Sequence, residues 1–281
     1  MVHLRSLLFT PGDSQRKLQK AAQSGADGVV IDLEDAVAPS ALDGAHQLTR
    51  EALSDVDFGD TVRLVRINAG SKDEVDADLK AILPGKPHGV VVPKSESAEM
   101  LQHVADRVPA DVVLFALVET AAGFMNLSDI VNGTPKLAGL ILGGEDLVAS
   151  LGAKATPGRQ ELAYARGAMV MAAAAKQLQA IDTIYTAWRD TEGLAADAQQ
   201  AAQLGFSGKL AIHPAQLPAI HTVFSPSDEE IEWATDVLQE GERLKEQGIG
   251  VFSYGGRMID ESHILQAKKI LEIAKRGKPD A

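Results

Sequence analysis

The chain has no cysteine, which excludes disulfides, thiolate zinc sites and cysteine nucleophiles. Aromatic residues make up only 4% of its 281 residues, too few for a platform of rings on which nucleobases stack. Basic residues are outnumbered, 27 against 39 acidic, for a formal net charge of −12. That sign disfavours a general nucleic-acid or anionic-membrane surface, while leaving room for a phosphorylated small ligand on a local basic cluster. No uninterrupted apolar span reaches the ~20 residues of a membrane helix. The early apolar run, Leu7-Leu-Phe9, is too short for a signal peptide, so a cytoplasmic protein is expected. G-x-G-x-x-G after a strand, G-x-x-x-x-G-K-S/T, H-E-x-x-H and G-x-S-x-G are all absent, which removes the common nucleotide, zincin and serine-hydrolase signatures.

What is present is a rhythm. Hydrophobic residues are 45% of the chain, ample for a large core, and they fall into short runs alternating with helical patterns. Strands are expected at residues 6–9, 29–33, 62–67, 89–92, 112–118, 137–142, 181–187 and 208–214. Helices are expected between them, over 14–24, 40–53, 73–83, 96–107, 159–179 and 194–204, with one helical connection joining the fifth and sixth strands. Punctuation such as Gly25-Ala-Asp-Gly28 suits a left-handed helix stop before a strand. Eight such units predict a (β/α)₈ barrel, a TIM barrel, over residues 1–224. Residues 225–281 form a C-terminal helical extension: a helix over 228–247 capped by Ser227 with Glu230, a glycine-rich crossing over 248–256, and a last helix over 262–276. The extension is expected to lid a site or to pack on a neighbouring subunit.

The stretch from Val112 to Leu147 organises the functional reading. Two apolar runs, each reading as a strand buried on both faces, end in Glu119 and in Gly143-Gly-Glu145-Asp146. Successive parallel strands are usually neighbours, so acids at their matching ends converge and repel. A hard divalent cation such as Mg²⁺ removes the conflict, because it favours one or two carboxylates plus water and substrate oxygens. Polar residues gather at strand ends generally: Asp32, Glu34, Asp35, Arg66, Asn68, Lys94, Glu119, Asp146 and His213. Active sites of barrels lie at that face, although strand ends also carry polar residues simply because they approach solvent. His213-Pro214 is equally readable as a structural turn or a base. Small residues after Glu119 leave backbone N–H groups that could hold an anion, or mark an ordinary helix entry. Arg16, Lys17 and Lys20 share one helix near the mouth. They could reach a diphosphate or form a solvated face.

With these residues placed, the chain resembles the citrate lyase β-subunit-like acyl-CoA lyases of the HpcH/HpaI aldolase superfamily. The resemblance is carried by Arg5-Ser-Leu-Leu-Phe-Thr-Pro-Gly12, Asp32-Leu-Glu-Asp-Ala-Val37, Arg66-Ile-Asn68, Val92-Pro-Lys94, Glu119-Thr-Ala-Ala-Gly123, Gly143-Gly-Glu-Asp-Leu147, Tyr164-Ala-Arg166, Gly208-Lys-Leu-Ala-Ile-His-Pro214 and Met258-Ile-Asp260, in the expected order. It implies Glu119 and Asp146 as ligands of Mg²⁺ (or Mn²⁺), and Arg5, Arg66, Lys94, Glu119, Ala121 and Gly123 at the substrate. Arg16, Lys17 and Lys20 would grip coenzyme A. Arg66 would contact the thioester or a substrate carboxylate, and Glu34 and Asp35 would support catalysis behind the metal or hold its water. Asp260 would reach the active site of an adjacent subunit in a homotrimer or hexamer. The chain is shorter after its eighth strand than malyl-CoA lyases are, which leaves coenzyme A and an acyl-carrier protein both open as thioester carriers.

The implied reaction is cleavage of a malyl, citramalyl or citryl thioester to an acyl thioester and a 2-keto acid. Arg66 would stabilise the developing enolate charge, and Asp260, its pKa raised by burial between subunits, would be the base. Three other readings use the same residues: a thioesterase, a class II pyruvate-type aldolase on free hydroxy-acids, and a non-catalytic carrier-binding subunit.

Overall fold

The structure, a computed structural model, describes residues 3–276. Eight parallel strands close into a barrel in chain order: β1 (Ser6–Pro11), β2 (Gly28–Asp32), β3 (Val62–Arg66), β4 (Gly89–Val92), β5 (Val113–Val118), β6 (Leu137–Leu142), β7 (Gln179–Asp182) and β8 (Gly208–Ala211). Helices follow the strands: α1 (Gln15–Ala22), α2 (Leu42–Asp55), α3 (Lys72–Ile82), α4 (Ala98–Ala105), α5 (Ala121–Met125), α6 (Leu127–Ile130), α7 (Gly144–Leu151), α8 (Ala163–Ala175), α9 (Thr191–Leu204) and α10 (Leu217–Phe224). The expected (β/α)₈ barrel is therefore the fold.

Each strand gives the interior a large apolar side chain: Leu7, Val30, Leu64, Val91, Phe115, Ile141, Ile181 and Leu210 belong to one buried cluster. Phe115 fills the axis because Gly139 yields to it; a Cβ at Gly139 would lie 2.6 Å from the ring. Side chains alternate along a strand, so the next inward position, two residues on, lies at the C-terminal mouth. Those positions are Phe9, Asp32, Arg66, Gly143, Thr183 and Ile212, with Glu119 two residues beyond Leu117, and all of them line one cavity.

On the outer side of β7 and β8 four charges are buried together. Arg166 of α8 donates to Asp182 through Nε and Nη2, each at 2.9 Å, and to Asp197 of α9 at 2.8 Å. Lys209 Nζ, fully buried, pairs with Asp182 at 2.5 Å and Asp197 at 2.7 Å. Two cations face two anions, so the desolvation of each is offset by ion-pair and hydrogen-bond geometry.

The structure departs from sequence expectation in four places. No long helix over 159–179 follows β6; α7 begins at once, and Gly152, Gly158 and Arg159, all left-handed (φ 62°, 78° and 54°), separate it from the shorter α8. The strand expected at 181–187 is β7, ending at Asp182, because pairing with β8 stops at Asp182↔Lys209. Beyond it the Tyr185 carbonyl accepts from the Gln216 side chain instead of a ladder partner. The β5–β6 connection is two short helices broken at Asn126. The glycine-rich crossing contains a hairpin.

The chain forms two compact units that divide at residues 221/222, within α10. The second contains α11 (Asp228–Lys245), β9 (Phe252–Tyr254), β10 (Arg257–Ile259) and α12 (Glu261–Arg276). Ser227 and Glu230 cap α11 reciprocally, as expected. Tyr254 pairs with Arg257 across Gly255 and Gly256, whose φ values of 55° and 77° meet the demand of a two-residue hairpin turn for positive φ at both centres. Ala234, Val237, Ile259 and Ala267 form the core of this unit. Residues 277–281 of the expected extension lie outside the described residues.

Lys209→Met tests the buried network. Removing one cation leaves Asp182 and Asp197 sharing Arg166, and the urea midpoint of the barrel should fall by the equivalent of about 3–5 kcal/mol. An unchanged midpoint would show that the network carries no net stability.

Candidate active site

The cavity at the C-terminal mouth has a volume of about 810 Å³. Acids and cations both line it. Arg66 is 8% exposed and is held on three sides. Its Nε and Nη2 donate to Asp32 at 2.7 and 2.6 Å, its Nη1 lies 2.9 Å from Glu34 Oε2, and its guanidinium sits 5.0 Å from the Phe9 ring centroid. Burial opposes its charge, yet Asp32, Glu34 and Asp35 together raise its pKa, so it is a permanent cation. Glu34 is drawn up by burial against the pull of Arg66 and Lys94, and the Lys94 ammonium donates to its Oε1. Asp35 is further from Arg66, at 3.5 Å, and more exposed.

Glu119 is 2% exposed. Burial first, with Asp146 and Glu34 adding repulsion, raises its pKa to about 8 against the Lys94 N–H and Arg66. That N–H donates to Glu119 Oε1 at 2.8 Å, from a Lys94 backbone in the left-handed region (φ 47°). Asp146 is in the first turn of α7 rather than at the end of β6. Its neighbour Glu145 is paired with Arg159 at 2.7 Å, whereas Asp146 has no ion-pair partner among the described residues.

The donor set fits a divalent cation. Glu119 is a buried carboxylate repelled by a second, unpaired one, and the space at its Oε2 is kept open by Gly143, where a Cβ would lie 2.5 Å from that oxygen. Among the described residues no three His, Asp or Glu side chains form a ready cage. Two carboxylates opening on a cavity suit Mg²⁺, which keeps positions for water and substrate, better than a metal that demands a full protein shell.

Arg16, Lys17 and Lys20 of α1 line the same cavity, are exposed, and form no ion pair among the described residues. His213 lines it from the β8 side. Its ring stacks on Trp188 with centroids 4.1 Å apart, and its Nδ1 accepts from the Ala215 N–H at 3.1 Å. The histidine is thus both a turn cap and a cavity wall.

Three expected site residues are corrected. Arg5 precedes β1 at the N-terminal end of the barrel, where it is bound to Asp27 at 2.7 Å, so it is on the face opposite the cavity. The N–H groups of Ala121 and Gly123 are already taken by Ser150 and Thr120, both at 3.1 Å, and neither residue lines the cavity. Asp260, expected to serve an adjacent subunit, is in the second unit, where in this single chain hydrogen bonds from Ser262 and His263 hold its pKa down to about 2. Thr183, absent from the expected site, lines the cavity, as does Asp32, which was counted among the strand-end residues but given no role. Their inward parity on β2 and β7 was the signal available.

The chain matches the HpcH/HpaI aldolase/citrate lyase family over residues 5–214. It is 38% identical over 271 residues to a protein of Cereibacter sphaeroides named (3S)-malyl-CoA thioesterase, spanning 96% of this chain and 94% of that one. It is 33% identical over 289 residues to mitochondrial citramalyl-CoA lyase of Rattus norvegicus, spanning 96% and 86%. Its fold is similar to that of CitE from Mycobacterium tuberculosis in complex with magnesium, acetoacetate and coenzyme A, with a TM-score of 0.79 at 32% identity, covering 97% and 98%. No helix among the described residues is long and apolar enough to cross a membrane.

The Glu119 environment makes a stability prediction. Between the ordinary value of 4.5 and about 8, the folded state binds more protons than the unfolded one, so stability falls as pH rises through this window. In metal-free protein Glu119→Gln should exceed the parent in urea stability by on the order of 2 kcal/mol near pH 9, the gap closing towards about pH 5. A gap independent of pH would mean that Glu119 is not strained as a carboxylate.

Proposed function

The chain belongs to the HpcH/HpaI aldolase/citrate lyase family and is a lyase by that membership; we propose that it cleaves, with Mg²⁺, a 3-hydroxyacyl thioester of coenzyme A. The products are an acyl thioester and a 2-keto acid, and citramalyl, malyl and citryl thioesters are the candidate substrates, after the names of the relatives. The observation that carries this reading is one cavity lined by buried Glu119, unpaired Asp146, Arg66 and the three unpaired cations of α1.

Glu119 and Asp146 are the residues that would hold Mg²⁺, which supplies a Lewis acid and a template for the substrate's oxygens. The remaining work falls to the chain. Arg16, Lys17 and Lys20 attract the phosphates of the thioester tail and so orient the reacting end towards the acids. A base removes the hydroxyl proton; the C–O bond becomes a carbonyl, the adjoining C–C bond breaks, and its electron pair passes to the thioester as an enolate that is then protonated on carbon. Arg66 stabilises that negative charge. The bidentate grip of Asp32 fixes its plane before substrate arrives, so little reorganisation is needed at the moment of reaction. Glu34 and Asp35 hold the same cation, while Lys94 pairs with Glu34 and, through its N–H, holds one oxygen of Glu119. Asp260 of another copy in a homotrimer is the proposed base, delivered by the C-terminal extension; docking would exchange its hydrogen bonds to Ser262 and His263 for a drier setting that raises its pKa.

A second reading is supported by the 38% identity to a protein named malyl-CoA thioesterase. With water as the acceptor, the same cavity would hydrolyse the thioester instead of cleaving carbon from carbon.

The test is a panel of malyl-, citramalyl- and citryl-CoA assayed with Mg²⁺, following keto acid and free thiol separately. Keto acid without thiol, lost in EDTA and in Glu119→Ala and Asp146→Ala, is the expected result; Arg66→Lys should cost about 10²–10³-fold in kcat. Thiol release without keto acid would establish the thioesterase. Silence across the panel would favour a carrier-protein-bound substrate or free hydroxy-acids. Mixing Glu119→Ala and Asp260→Ala chains after co-refolding should restore part of the activity. No recovery would remove Asp260 from a shared site.

A further inference from the structure

Gly143 and Gly144 open α7, and each is glycine for a different reason. A Cβ on Gly143 would lie 2.4 Å from Glu119 Cβ and 2.5 Å from its Oε2. The cap position of α7 therefore has no side chain, and no side-chain cap is made there. The first N–H of the helix, on Gly144, is nevertheless buried and needs an acceptor. Thr183 supplies it: its Oγ1 accepts from Gly144 N at 2.9 Å. A Cβ on Gly144 would come within 2.7 Å of that oxygen and 3.0 Å of Thr183 Cβ, so the contact closes only against glycine.

Thr183 is 1% exposed and directly follows β7. The preceding residue, Asp182, faces the other way into the network with Arg166 and Lys209, which anchors the end of the strand. Glu119 thus excludes a cap on its own side, and the cap comes from a neighbouring strand instead. Asp146 lies two residues beyond the capped N–H, in the same turn.

We propose that Thr183 is a positioning residue that caps α7 from β7 and thereby sets Asp146 against Glu119. The inference rests on the metal-ligand reading of these two acids. It assigns Thr183 no contact with the reacting atoms, although its side chain lines the cavity.

Thr183→Val keeps the shape and removes the acceptor, whereas Thr183→Ser keeps the acceptor. Calorimetry with Mg²⁺ alone on the metal-free full chain should show about a tenfold or greater loss of affinity in Thr183→Val, and near-parental affinity in Thr183→Ser. Amide exchange at Gly144 and Asp146 should accelerate about tenfold in the valine variant and stay slow in the serine variant. Gly144→Ala approaches the same contact from the other side and should mimic Thr183→Val in both readouts. Parental Mg²⁺ affinity and exchange in Thr183→Val would overturn the proposal, as would a raised KM with unchanged Mg²⁺ affinity, which marks a substrate contact. Equal losses in the valine and serine variants would overturn it too. If the parent itself binds no Mg²⁺, the metal-ligand reading fails. Amide exchange then decides the cap: rescue by serine alone upholds it, and no valine effect removes it.

Discussion

In a closed parallel barrel the strand backbones are fully hydrogen-bonded to one another, and their side chains must point alternately to the axis and to the helices. That constraint builds this molecule. The axis is filled by one large apolar residue per strand, with Phe115 at its centre. Two residues later, or four on β5, the same inward direction meets the open mouth, and there the chain places Asp32, Arg66 and Glu119. Bringing such groups to a common axis demands compensation. Asp32 answers Arg66 bidentately, and the Lys94 N–H answers one oxygen of Glu119.

Compensation is uneven, and the unevenness is where chemistry becomes possible. Glu145 has Arg159, Glu34 has Arg66 and Lys94, and Arg5 at the far end has Asp27. Asp146 and the three cations of α1 have no ion-pair partner among the described residues. Acids and cations therefore line one cavity together, so it attracts groups of both signs. The opposite signs also keep the chain's overall negative charge from deciding what binds locally, since screening confines exposed charges to a reach of about 8–10 Å.

The fold was largely legible in the chain because short apolar runs recur eight times, several of them beside a glycine, and polar residues collect at one end of most. That Arg66, Glu119, Asp146, Arg16, Lys17 and Lys20 line one cavity followed from the same pattern, since residues soon after a strand end lie near the mouth of a barrel. Arg5, Ala121 and Gly123 were misjudged because motif membership does not say which end of a strand, or which hydrogen bond, a residue serves. Helix α7 was not expected because two glycines at its start carry no helix signal; one of them makes room for Glu119 and the other for Thr183.

By itself the sequence determined the barrel and the chemical inventory of the mouth, since periodicity and strand-end position are properties of neighbouring residues, and its ordered motifs carried the family resemblance. Only the tertiary structure decided which charges are already paired, that Asp146 belongs to a helix, and that Thr183 reaches Gly144 across thirty-nine positions. These are contacts between strands and helices distant in the chain. Their partners are chosen by barrel register and by the space that a missing Cβ leaves, and neither is written in any local pattern.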